Sequence, residues 1–95
     1  MSNTYWLNGK YIQKEEAYVS PLTHTLHYGL GAFEGVRSYI SHDKKSVNIF
    51  RLKEHTERLF ESAKIITVEI NHSIDEVMEA QLGVIKKSEL HDAYI

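Results

Sequence analysis

Sixteen residues, His24-Thr-Leu-His27-Tyr28-Gly29-Leu-Gly31-Ala-Phe33-Glu34-Gly35-Val-Arg37-Ser-Tyr39, constrain this chain more than any other stretch. They hold three glycines, three aromatic residues, two histidines, one carboxylate and one guanidinium. Glycine weakens a strand interior and often marks the close approach of a ligand or another backbone, so an ordinary core strand is not built this way. From Ala32 onward the apolar positions alternate, with Ala32, Val36 and Ile40 on one parity and Phe33, Gly35 and Tyr39 on the other. The pattern predicts a turn or loop through Tyr28 that runs into a strand from about Leu30 to Ile40. Aromatic rings set beside glycine suit a flat ligand lying against that face.

The rest of the chain supplies a frame for this stretch. Asn8-Gly9 between Tyr5-Trp6-Leu7 and Lys10-Tyr11-Ile12 predicts a hairpin, because Asn-Gly readily adopts the positive φ angles of a type I′ turn. Ser41 to Ser46 is a polar turn, and Val47-Asn-Ile49-Phe50 should return antiparallel to the central strand. Leu52, His55, Leu59 and Ser62-Ala63 recur at intervals of three and four, which predicts a first helix over 52–63 with those residues inward. Ile65-Ile66-Thr67-Val68 is short and β-branched and reads as a brief strand. Ser73-Ile-Asp-Glu76 fits a capping box, opening a second helix through about Lys87 with Ile74, Val77, Met78, Leu82, Val84 and Ile85 as its apolar stripe. Ala93-Tyr94-Ile95 begins another strand. Strands and helices without regular βαβ alternation define an α+β domain, an antiparallel sheet with two covering helices.

Bulk properties exclude several classes. Ninety-five residues make at most one small domain, here 1–95. A net charge of −2 gives no reason to expect nucleic acid or an anionic membrane as partner. There are no cysteines, so disulfides and thiol chemistry are absent. The opening residues carry no secretory pattern, and the expected compartment is the cytoplasm. His24 and His27 as HxxH are a weak metal signal without cysteine partners, and no metal is expected.

The run His24–Tyr39 closely resembles the N-terminal signature of branched-chain amino acid aminotransferases, fold-type IV enzymes that use pyridoxal 5′-phosphate (PLP). The resemblance continues from Tyr5-Trp6-Leu7-Asn8-Gly9 through Phe50-Arg51-Leu52, Glu54-His55, Arg58-Leu59 and Ser62-Ala63-Lys64-Ile65 to Ala93-Tyr94-Ile95. It implies amino transfer between leucine, isoleucine or valine and 2-oxoglutarate, in a homo-oligomer. It assigns Arg58 to the cofactor phosphate, a role that suits the planar arginine fork. The bland alternative is an ion pair with Glu54, four residues earlier. Tyr28, Phe33 and Gly35 line the substrate pocket by the same resemblance, with Tyr28 reaching a partner subunit's site. Arg37 joins them as a residue that orients the pocket, against the alternative of a cross-strand ion pair. Glu34 and Arg37, three apart on the expected strand, should not pair directly. His55 reads as a hydrogen-bonded structural histidine.

PLP-dependent amino transfer requires a lysine that bonds to the cofactor and moves a proton. The family's lysine falls beyond Ile95, and Lys44, Lys45, Lys64, Lys86 and Lys87 are poor substitutes, lying in a solvated turn or near helix ends that favour their charged form. The chain is therefore expected to be the small N-terminal domain of such an enzyme, without the large domain, and inactive alone. Two alternatives stand beside it: another fold-type IV enzyme (a D-amino acid aminotransferase or aminodeoxychorismate lyase), or a non-catalytic binding or dimerisation module.

Overall fold

The hairpin signal is realised first. In a computed structural model describing residues 3–95, β1 (Thr4–Leu7) and β2 (Lys10–Gln13) pair antiparallel, with Thr4 opposite Gln13 and Leu7 opposite Lys10. Asn8 and Gly9 both take positive φ, 50° and 88°, as the tight turn requires. A single 3₁₀ turn, Lys14–Glu16, ends the hairpin.

The next segment departs from expectation. His24–Tyr28 forms a short helix, α1, instead of a loop, and Gly29 closes it in the left-handed conformation with its N–H on the Thr25 carbonyl at 3.1 Å. The strand expected from Leu30 begins only at Arg37: β3 is Arg37–Ile40. Residues 29–36 are irregular, because α1 consumes the start of the stretch and Thr25 Oγ donates to the Leu30 carbonyl at 2.8 Å, bending the backbone away from a ladder. Alternation does hold where pairing exists: Val36 and Ser38 are buried, Arg37 and Tyr39 exposed.

β3 is the centre of a three-stranded antiparallel sheet, between β4 (Val47–Ile49) and β5 (Ala93–Tyr94). Ser38 stands opposite Ile49 on one side and Ala93 on the other. Its fully buried hydroxyl donates to the His91 carbonyl at 2.7 Å. The α+β class is as expected, but the hairpin forms its own two-stranded sheet apart from the three-stranded one.

Two helices complete the core. α2 (Leu52–Ile65) runs two residues past its expected end, and α3 (Ile74–Ser88) has both halves of the Ser73–Glu76 capping box, at 3.0 and 3.1 Å. Residues 65–68 form no strand. The Val68 N–H bonds back to the Ala63 carbonyl at 2.8 Å and Thr67 takes φ 59°, so helix closure uses the donors a strand would need. α3 packs on β1 and on α2. Leu52, Ala63, Ala80 and Ile85 are buried as that interface implies, while Leu82, expected inward, is exposed. Polar residues join the elements at depth. Thr56 Oγ donates to the Leu52 carbonyl at 2.8 Å and accepts from Gln81 Nε2 at 2.9 Å, linking α2 to α3. Ser88 Oγ accepts from the Thr4 N–H at 2.8 Å, linking α3 to β1.

Candidate anion and ligand site

Glu34 is the hinge of the site. It lies in the irregular segment between α1 and β3, with its side chain only 8% exposed, and its carboxylate faces α2. His55 Nδ1 lies 2.8 Å from Oε1, Arg58 Nε donates to Oε2 at 2.9 Å, and Arg58 Nη2 donates to Oε1. His55 and Arg58 are three residues apart and so share a helix face. The Arg58 guanidinium, and then the His55 hydrogen bond, pull the Glu34 carboxyl down from its ordinary 4.5 to about 2. Glu34 in turn raises the Arg58 pKa through the same hydrogen bond and its negative charge.

Arg58 nevertheless remains 65% exposed along its side chain. Its Nε and Nη2 face Glu34, which leaves the Nη1 side of the fork directed elsewhere. A cavity of about 250 Å³ opens here, lined by Arg51, Glu54, His55 and Arg58. The alternative ion pair between Arg58 and Glu54 is not formed: Glu54 accepts from Arg51 Nε at 3.3 Å, and Arg58 turns to Glu34. A nearly buried carboxylate that needs a cation outcompetes an exposed one. Two arginines against two carboxylates leave this end formally balanced, so an anion gains hydrogen-bond donors more than net field. One open arginine edge fits part of a phosphate. His55 is the hydrogen-bonded helix histidine read from the sequence.

The expected ligand-lining residues fall into two groups. Gly35 and Arg37 gather around Tyr94 of β5: a Cβ at Gly35 would lie 3.6 Å from the ring, and the Arg37 guanidinium stands 5.6 Å from its centroid. Arg37 also stands 5.8 Å from the Tyr39 ring, so its neighbours are aromatic faces and not a cross-strand carboxylate. Glu34 and Arg37 do not pair; Glu34 precedes β3 and turns to α2 instead. Tyr28 ends α1 with its ring edge-on to His24 at 5.5 Å, and it and Phe33 are 78% and 89% exposed. Sequence reasoning missed Tyr94 as a neighbour of this site and Glu34 as its anchor. The signal for Glu34 was a lone carboxylate set among glycines and aromatics. His24 and His27 join no metal-binding group: among the described residues, no three or more histidine, aspartate or glutamate side chains converge.

The chain belongs to the amino-transferase class IV family, whose pattern matches residues 31–95. It is 46% identical over 90 residues to a branched-chain-amino-acid aminotransferase of Pseudomonas aeruginosa, a match covering 95% of this chain and 29% of that protein. An Escherichia coli K12 protein of the same name is 48% identical over 90 residues, covering 95% of this chain and 28% of its own. Among solved structures, a branched-chain aminotransferase from the thermophilic archaeon Thermoproteus uzoniensis, with norvaline, superposes with a TM-score of 0.90 at 36% identity, over 99% of this chain and 31% of that one. The chain thus spans under a third of the length of these relatives.

Proposed function

We propose that this chain is the N-terminal part of a PLP-dependent branched-chain aminotransferase, which moves an amino group between leucine, isoleucine or valine and 2-oxoglutarate. The observation that carries the reading is identity of 46–48% across 95% of the chain to proteins of that name. In it, residues 1–95 form the small domain, and the lysine that bonds the cofactor belongs to a large domain outside this sequence. When bound, PLP supplies the electron sink for breaking a bond at the amino acid α-carbon.

This chain's share is binding and orientation. The open edge of Arg58 donates to the cofactor phosphate, and in this reading much of the rest of the phosphate cup belongs to the large domain. Phe33, Gly35 and Arg37 line the substrate pocket, where a ring grips a branched side chain and glycine admits it close to the backbone. Tyr28, exposed at the end of α1, reaches into a partner subunit's site in a homo-oligomer. The reading places the enzyme in the cytoplasm. Among the described residues no helix is long and apolar enough to cross a membrane.

The test is amino transfer from L-leucine to 2-oxoglutarate by the full-length protein, with D-alanine and aminodeoxychorismate as competing substrates. Activity should require PLP and favour L-leucine, and Arg58→Ala should weaken PLP binding about 10- to 100-fold, the loss of a charge-assisted hydrogen bond. Turnover of D-alanine or aminodeoxychorismate in place of L-leucine, or sustained activity of the 95-residue chain alone, would refute the reading.

A further inference from the structure

Glu34 belongs by sequence to the ligand-lining segment, between Phe33 and Gly35, and by contact to α2. Its carboxylate is the point where that segment is fastened to the helix carrying Arg58. A long arginine side chain that is 65% exposed would ordinarily sample many rotamers. Here two of its nitrogens engage the two oxygens of one nearly buried carboxylate, which is itself held by His55. That contact fixes the guanidinium plane, and with it the direction of the edge left open.

We propose that Glu34 is a positioning residue: with His55 it orients the Arg58 fork toward the cofactor phosphate and couples that grip to the substrate-lining residues Phe33 and Gly35. The proposal rests on the reading in which Arg58 binds the phosphate. A negative charge behind the arginine opposes an incoming phosphate, so the contribution of Glu34 is geometric. A fork already ordered loses less conformational freedom on binding.

Two substitutions separate geometry from charge. Glu34→Gln removes the charge and replaces one acceptor by a donor that faces Arg58. Glu34→Asp keeps the charge but shortens the side chain by one methylene, withdrawing it from the helix. A field effect would make Glu34→Gln bind phosphate more tightly and leave Glu34→Asp unchanged, whereas positioning makes both bind it more weakly.

The measurement uses full-length protein freed of cofactor, titrated by absorbance with PLP and with pyridoxal, which lacks the phosphate. The ratio of the pyridoxal to the PLP dissociation constant isolates the phosphate contribution, and a merely structural role would not move it. Both Glu34 variants should lower the ratio about 10-fold with pyridoxal binding unchanged. His55→Leu, which loosens the carboxylate but leaves the ion pair, should lower it about 3-fold. KM for L-leucine should rise in the Glu34 variants as Phe33 and Gly35 shift. An unchanged or increased ratio in these variants overturns the positioning role. Arg58→Ala tests the underlying reading separately: if the ratio survives that substitution, Arg58 does not hold the phosphate, whatever Glu34 does.

Discussion

Replacing Gly83 by alanine sets a helix gain against a steric loss. Gly83 lies inside α3, where alanine is favoured over glycine by about 1 kcal/mol. A Cβ there, however, would stand 2.0 Å from Tyr11 Oη and 2.6 Å from Cζ, so the ring lying across the helix from β2 must leave. It leaves behind a 3.3 Å hydrogen bond from Oη to the Glu79 carbonyl, which at this length contributes about 0.5 kcal/mol. Lys87 Nζ, 4.9 Å from the ring centroid, contributes roughly 0.5–1 kcal/mol as an exposed cation–π contact. Re-exposing about 40 Å² of ring face costs about 1 kcal/mol more. The combined loss of about 2–2.5 kcal/mol exceeds the helix gain, so Gly83→Ala should destabilise by about 1–1.5 kcal/mol. In a Tyr11→Ala background nothing obstructs the new methyl, and the same substitution should stabilise by about 1 kcal/mol. Urea denaturation of the four proteins gives the coupling, expected to be about 2–2.5 kcal/mol, and each kcal/mol should also move Tm by about 4–8 °C. If Gly83→Ala stabilises both backgrounds equally, Tyr11 does not key the hairpin to α3 and the reasoning fails.

Two further outcomes follow from buried polar contacts. Ser88→Ala leaves the buried Thr4 N–H without its 2.8 Å acceptor and should cost about 1–3 kcal/mol, whereas an effect near zero in urea denaturation would mean the amide finds another partner. Glu34, held near 2 by Arg58 and His55 against an ordinary 4.5, contributes stability that is complete above its unfolded pKa and lost as pH falls from about 4.5 through about 2. Glu34→Gln should therefore flatten that part of the acid limb in denaturation profiles taken at stepped pH, and an unaltered slope would contradict the clamp.

The elements legible in the sequence were those whose signal is local. Asn8-Gly9 marked a turn, Ser73 with Glu76 marked a helix start, and the spacing of Leu52 and Ala63 marked one buried helix face. Misreadings arose where distant partners decide. Apolar alternation from Ala32 looked like a strand, yet β3 begins only at Arg37 and residues 32–35 are irregular. Ile65–Val68 had strand composition, but carbonyls of the last turn of α2 claimed its backbone. Thr56 is fully buried, a position that composition would not give a hydroxyl, because Gln81 on another helix supplies its partner. The site divides the same way. The histidine role of His55 was readable from its place on a helix face. The partner of Arg58 was not, since Glu34 lies 24 residues away while Glu54 offered an ordinary helical pairing.

The central place of β3 also imposes an order of assembly. Its partner β4 follows after one short turn and can pair as soon as both have been synthesised, as can the β1–β2 hairpin. β5 arrives more than fifty residues later, and only then do the Ser38 hydroxyl and the Val36 carbonyl meet their partners at His91 and Ile95. Thr4 waits longer still, for Ser88, 84 positions away. A nascent chain therefore carries its hairpins and α2 as separate pieces with incomplete interiors until residues 88–95 emerge from the ribosome. Contacts this distant in sequence must repay loop closure before they stabilise anything, which makes folding slower than in a helical chain of equal length.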